Sequence, residues 1–403
     1  MNRRNGFTLI ELMMSLVILL IITATAISAL VQAQRVTQQI ALEANMQEDL
    51  RAGMHFIVRD LTQAGEGIPQ GGIMIPYTAA AAPASIVRPG TFPSTNFAST
   101  YVALPAVIPG DGLGQNATGV NPTTQAVIST GAKPTDIVTI LYADNTLVDS
   151  STNKYPLNQF PVNASPCVAG GGTIATNGTS LTLSTACFTV PTSQPTIVQG
   201  DLIMFSCAAG TALELVTNVS GQTLSFSSTG DPSGLNGLSA TTYPDGTVAK
   251  LVASGDPITI TRVWMITYYE DTTTNPTRPQ LVRQINYPNY PSAAPAYPAE
   301  GIGEAIEDLQ FTYDIINSTA PNGTYPNGPG DATSPAVGYD TPLQIRAVNV
   351  FLAARSEYTY STTLSNQYFL HNNLSTQVSI RNLSFVNNFN TSPNATEVTA
   401  PGP

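Results

Sequence analysis

Formal charge is scarce in this chain of 403 residues: Asp, Glu, Lys and Arg make up 10% of it, against roughly 25% in an average soluble domain. There are two His, three Cys and one Trp. With only His55 and His371 available, and His55 on a predicted helix, no Ser-His-Asp arrangement can be assembled. No phosphate-cradling loop is present, because Gly170-Gly171-Gly172 sits between a Cys and a Thr-rich turn, without a following helix or Lys. The acidic run 143–149 lacks the Gly and the terminal Glu of an EF-hand loop, so it reads as a solvated turn rather than a Ca²⁺ site. These absences lead to the expectation that the chain is not an enzyme and holds neither a metal nor a cofactor. The net charge of −11 makes nucleic acid an unexpected partner. With so few charges, Ser, Thr, Asn and Gln must solvate the surface, and Asn-x-Ser/Thr triplets at Asn116, Asn177 and Asn382 read as by-products of that composition.

What the chain does have is concentrated at its start. A basic head, with Arg3 and Arg4, precedes Gly6-Phe7-Thr8-Leu9-Ile10-Glu11-Leu12, and no further Lys or Arg occurs until Arg35. Residues 7–31 carry one charge, Glu11, and as a helix they would extend about 37 Å, enough to cross a bilayer core of roughly 30 Å. The Arg pair orients the N-terminus toward the cytoplasm and sends everything after the span outward. A cleaved secretory signal ending near Ala24-Thr25-Ala26 is the bland alternative. Two features oppose it: the acid inside the apolar run, and a helical pattern that continues past the cut.

In residues 32–64 the positions Leu50, Met54, Ile57 and Leu61 step by four, three and four, which puts them on one helical face. No Pro occurs before Pro69, Gly53 is the only interior Gly beyond the span, and Gly65 and Gly67 supply a stop. One helix of about 55–60 residues is predicted. Its first half is apolar all round and its second half amphipathic, and the stripe is too short for a coiled coil. An acid within the span costs on the order of 2.5–3.5 kcal/mol at a bilayer centre, less near its edge. Glu11 is therefore a candidate functional residue.

The segment from Arg3 to Leu12 resembles the class III signal of type IV pilins and their pseudopilin relatives. The resemblance implies a leader, residues 1–6, removed after Gly6 by a membrane prepilin peptidase, which also methylates the new amine on Phe7. It implies that Glu11 meets the N-terminal amine of a neighbouring subunit during assembly. At ~4 Å and an effective dielectric near 20 such a pair attracts by about 4 kcal/mol before desolvation is subtracted, so Glu11 acts chiefly as a register device. Loss of Arg3 and Arg4 takes the net charge from −11 to about −13.

The rest of the chain reads as β-rich. Residues 65–132 form a loop-rich insertion of coil and short strands, broken by Ala79–Ala82 and Pro83. Strand-like runs follow at 136–142, 180–183, 200–205, 212–217, 223–226 and 258–268 within a head spanning 133–390. In 301–316, Ile302, Ala305, Ile306 and Leu309 suggest a helical turn feeding a strand at 309–314; later strands are expected at 343–355 and 376–383, and residues 391–403 as a disordered tail. Cys167, Cys187 and Cys207 allow one disulfide in an exported chain and leave one thiol over, with the pairing open. Arg59-Asp60 reads as a pair on the helix surface, Trp264 as strand packing, and Arg346, Arg355 and Arg381 as interior or inter-subunit partners of carboxylates.

Several internal stretches are similar to minor pilins of the PilW type. They are Arg59 to Gly65, the strand starts at Thr135-Asp136 and Gly200-Asp201, Glu304 to Gln310 with Tyr313, Arg346-Ala347-Val348 and Ile380-Arg381-Asn382. This implies an α+β fold in which a long N-terminal helix, transmembrane in its first half, packs on a pilin-like head. It also implies a minor pilin that primes or caps a filament near its tip, with other minor pilins, the major pilin and the inner-membrane assembly machinery as partners. Two alternatives stand beside it: a type II secretion pseudopilin of the J type, and a tip adhesin or ligand-binding module. The expected location is a single pass through the inner membrane, with the head in the periplasm, and then the pilus tip.

Overall fold

The structure, a computed structural model, describes residues 8–69, 71–77, 85–92, 96–97, 103–116, 119–120, 127–128, 134–144, 146–147, 161–162, 172–185, 189–192, 196–237, 245–287, 297–315, 323–325, 342–363 and 366–380. Helix α1 is unbroken over Leu9–Gln63, 55 residues. No Pro interrupts it, and its end falls where Gly65 (φ 77°) and Gly67 (φ 67°) adopt the left-handed conformation that glycine tolerates best. The stripe foreseen from the four-three-four spacing is buried, with Met46 added one turn earlier. Gly53 is buried with it. A Cβ at that position would lie 2.7 Å from Leu281 Cδ2 and 3.3 Å from Leu352 Cδ2. The helix approaches the sheets so closely there that any side chain on residue 53 would have to displace Leu281.

The principal strands are β1 (Val107–Gly110), β2 (Ile137–Ala143), β3 (Leu202–Cys207), β4 (Gly210–Leu215), β5 (Ile258–Asp271), β6 (Gln280–Ile285), β7 (Glu300–Glu304), β8 (Ile306–Ile315), β9 (Ile345–Arg355) and β10 (His371–Ser379). An eight-stranded sheet runs β4-β3-β5-β6-β7, with β2 on the opposite edge of β5, β1 beyond it, and the short pair Pro161–Val162 also on β5. The 14-residue β5 is its spine: β3 takes residues 259–263, β6 takes 266–271 and β2 takes 263–268, all antiparallel. A second, four-stranded sheet runs from Gly323–Tyr325 through β8 and β9 to β10. The helix stripe, Ile140, Ile266 and Leu281 of the first sheet, and Leu309, Phe311, Val350 and Leu352 of the second form one core. A separate core gathers Ile203, Phe205, Leu224, Phe226 and Ile260 around the short helix α2 (Val248–Ser254). The architecture is therefore α+β: a long helix laid on a large β-rich head.

Asp136 ties the two sheets together just before β2. Its backbone N–H donates to Leu309 O at 2.9 Å, and its carboxylate accepts from the N–H groups of Gly112 (2.8 Å) and Phe311 (2.7 Å). Burial pushes its pKa up to about 7 despite those two donors.

The helical turn expected in 301–316 is a correction. Residues 301–315 form most of β7 and all of β8, with Ala305 at φ 53° marking the corner between them, and residue 316 lies outside the described residues. A left-handed alanine is unfavourable by roughly 1–2 kcal/mol, but the strands on either side pair with β6 and β9, and Arg355 N–H donates to Ala305 O at 3.0 Å. The alternation of Leu309, Phe311, Tyr313 and Ile315 into the core is the stronger local signal. Strand β6, helix α2 and the start of β10 at His371 had no counterpart in the sequence reading. Of the segment expected as a strand at 376–383, residues 381–383 lie outside the described residues, as does the tail at 391–403.

Candidate functional site: the amino-terminal helix and its anchor

Arg3, Arg4, Gly6 and Phe7 lie outside the described residues, which begin at Thr8. Thr8 is the N-cap of α1, in extended conformation (φ −77°, ψ 149°). Its hydroxyl oxygen accepts from the Glu11 N–H at 3.4 Å, while Glu11 Oε2 accepts from the Thr8 N–H at 3.2 Å and from the Thr8 hydroxyl at 3.1 Å. This is a capping box, which satisfies two helix-end donors reciprocally and places the acid at the positive end of the helix dipole. Sequence reading singled out Glu11 but did not anticipate this local partner. Threonine followed three residues later by glutamate was the signal.

Beyond the cap, Leu9 to Leu30 present their large apolar side chains to the outside, each at least 52% exposed. Hydroxyls in this stretch fold back onto the helix: Ser15 donates to Leu12 O, Thr23 to Leu19 O and Thr25 to Ile22 O, at 2.8–2.9 Å. These three hydroxyls are thus satisfied within the helix, as a lipid environment requires. Length and composition are sufficient to cross a membrane, and α1 is the one such helix among the described residues.

At its other end α1 is fastened to the head by a buried ionic group. Asp60 is fully buried, and its Oδ2 accepts from the Tyr268 hydroxyl at 2.6 Å and from Arg283 Nε at 2.7 Å. Its Oδ1 accepts from Arg59 Nε at 3.1 Å, and Arg59 stacks over Phe56 at 4.9 Å. This corrects the reading of Arg59-Asp60 as a surface pair. Asp60 stands three residues after Ile57, on the same face as the buried stripe, and the spacing could have revealed it. Burial lowers the Arg283 pKa, but the bond and the charge of Asp60 outweigh that and hold it above its usual range. Burial, and then the Asp60 charge, raise the tyrosine pKa values, that of Tyr142 to about 12.

Two further clusters account for other expected residues. Asp144 is not in a solvated turn: it is buried and forms an ion pair with Arg262, whose Nη1 also reaches Asp201 Oδ2 at 3.3 Å. Arg262 stacks over Trp264 at 4.6 Å, and Trp264 meets Tyr297 edge-on at 5.5 Å. Burial raises the Asp144 pKa, but Arg262 and Thr146 override it and hold the group low; at Asp201 burial prevails. In the neighbourhood of Asp49 of α1, Arg278 pairs with Glu304 and Glu357, while Glu307 accepts from His371 Nδ1 at 2.8 Å and lies 3.3 Å from Arg355. Arg355 is thus an interior partner of a carboxylate. Arg346 is buried and donates to Leu343 O and Ile345 O, and Arg381 lies outside the described residues.

Cys207 is a free thiol in this structure, and Cys167 and Cys187 lie outside the described residues. Among the described residues no group of His, Cys, Asp and Glu is arranged to hold a metal ion. Glu214 and Glu270 are buried acids that had no counterpart in the sequence reading. Glu270 on β5 is fully buried, and neither carboxyl oxygen has a hydrogen-bond partner. Burial pushes its pKa well up, and Asp308, Glu307 and Asp271 push the same way.

The family profile described as the prokaryotic N-terminal methylation motif matches residues 1–27. No curated protein matches the chain, and no solved structure does. The match covers the candidate cleavage junction, Glu11 and most of the exposed apolar half of α1. Such a motif implies processing by a prepilin peptidase and a pilus-type assembly system. The chain thus carries a prepilin-type N-terminal signal that leads into a membrane-capable helix and a β-rich head, an arrangement similar to that of type IV pilin-like proteins.

Proposed function

We propose that this chain is a minor pilin of the PilW type, held in the inner membrane after export and then built into a filament near its tip. There it primes polymerisation of the major pilin together with other minor pilins. One observation carries the reading: a single 55-residue helix is bare over its first half and buries one face in the head from Met46 to Leu61, and its bare half carries the methylation motif. A helix of that kind leaves the bilayer only by exchanging lipid for other helices of the same kind, which is what a filament core provides. The head explains a minor role, since so large a domain is hard to repeat at every turn of a thin filament.

Glu11 supplies the docking chemistry. In the single chain its carboxylate is held by Thr8. On assembly it exchanges or shares that partner with the amine freed at Phe7 of a neighbouring subunit. An unpaired acid among packed apolar helices is costly, so the pair favours one stagger between subunits. The test is Glu11→Ala: cleavage after Gly6 should survive while incorporation into filaments falls. Normal incorporation of that variant would overturn the counter-charge role. Deletion of the gene should reduce pilus number and leave type II secretion intact; the reverse result would assign the subunit to a secretion filament.

A further inference from the structure

We propose that the outer face of the four-stranded sheet is a binding groove for a neutral oligosaccharide. The groove has a volume of about 410 Å³ and is lined by Gln310 and Thr312 of β8, Asn349 and Phe351 of β9, and Ser375 and Gln377 of β10. That volume lies within the range of small-ligand sites. The six side chains form two rows in strict register. Gln310 faces Phe351, which faces Ser375; Thr312 faces Asn349, which faces Gln377. Strands lie about 4.8 Å apart and alternate residues about 6.8 Å apart, so an aromatic ring sits among five hydrogen-bonding side chains.

The amides are already oriented. Asn349 Nδ2 donates to Asp314 Oδ1 at 3.3 Å, Gln377 Nε2 to Asp314 Oδ2 at 2.6 Å, and Gln310 Nε2 to Asp308 Oδ1 at 2.8 Å. A carboxylate can only accept, so each amide must turn its NH₂ end toward the acid and leave its carbonyl oxygen as an acceptor. A groove preset in this way suits a ligand rich in O–H donors. Asp308 and Asp314 flank the rows and repel anions, and among the described residues the lining contains no Lys or Arg to attract them. Phe351, half-buried in the middle strand, offers the apolar ring against which the C–H face of a sugar packs. Hydroxyl donors around an apolar face, without formal charge, describe a neutral sugar.

The experiment uses the full-length protein in a detergent without a sugar headgroup, applied to an array of neutral, sialylated and sulfated oligosaccharides and of extended polar peptides. Neutral oligosaccharides should bind, sulfated ones should not, and Phe351→Ala and Asn349→Leu should each weaken binding by about tenfold, equivalent to ~1.4 kcal/mol. Unfolding followed through Trp264 checks that the variants remain folded. Should Phe351→Ala lower stability, Gln377→Ala at an exposed position of β10 takes its place, with the same loss expected. Absence of neutral-oligosaccharide binding, binding unchanged in both variants, or capture of peptides alone would overturn the assignment.

Discussion

Replacing Glu270 by Gln should change how the stability of the head depends on pH. The carboxyl is fully buried beside β6, without a hydrogen-bond partner, and Asp308, Glu307 and Asp271 add repulsion to the desolvation. Its folded pKa therefore lies well above its value in the unfolded chain, and the folded protein binds the extra proton. An acid of this kind favours folding below the ordinary Glu range, and the advantage is lost as pH rises toward the folded pKa. One proton of difference gives a slope of about 1.4 kcal/mol per pH unit. As pH rises above the ordinary Glu range, the stability of Glu270→Gln relative to wild type should therefore rise, with that slope as its ceiling, because the amide keeps the shape and cannot ionise. Glu214, raised by burial and then by Asp231, and Asp136, raised by burial to about 7, slope in the same direction and remain in the variant. The two curves should diverge without the variant becoming flat. Trp264 is the only tryptophan in the chain and lies in the head, so denaturant titrations followed by its fluorescence read this domain alone. Parallel pH profiles for the two proteins would refute the idea that Glu270 is buried as a neutral acid.

Truncating one member of the helix anchor leaves the others buried and unpaired. Asp60→Ala should destabilise the head by about 3–5 kcal/mol, and a double-mutant cycle with Arg283→Met should recover part of that loss; additive effects would sink the coupling. Gly53→Ala gains helix propensity of up to ~1 kcal/mol but forces Leu281 and Leu352 apart, at a cost of about 1–3 kcal/mol. A lower thermal midpoint is expected, and a raised one would show that the helix can lift from the sheets freely.

The helix was legible because two local signals agreed. Absence of Pro before Pro69 set its length, and the steps between Leu50, Met54, Ile57 and Leu61 set its buried face. The spine strand was legible for its β-branched alternation. Where a residue's environment is made by distant segments, the sequence was silent. Asp60 stands on the buried stripe, but nothing local names its partners, which are 208 and 223 residues away; Asp144 reads as a turn acid because Arg262 lies 118 residues on. The 301–316 segment misled because a weak helical spacing competes with pairing to β6 and β9, which no local window contains. At the candidate site, Glu11 was visible from its cost in an apolar run, while its bond to Thr8 follows from helix-cap geometry.

The placement of the Asp60 anchor has a mechanical consequence. The head grips α1 from Met46 to Leu61, about 24 Å of helix, and the ionic anchor sits at the end farthest from the membrane. A pull along the helix from the membrane side loads the apolar stripe in shear, all of its side chains at once. A sideways pull instead peels the helix away from Met46 onward, one turn at a time, and reaches Asp60 last. The joint should therefore resist axial tension, the load on a subunit drawn along a filament, far better than it resists bending.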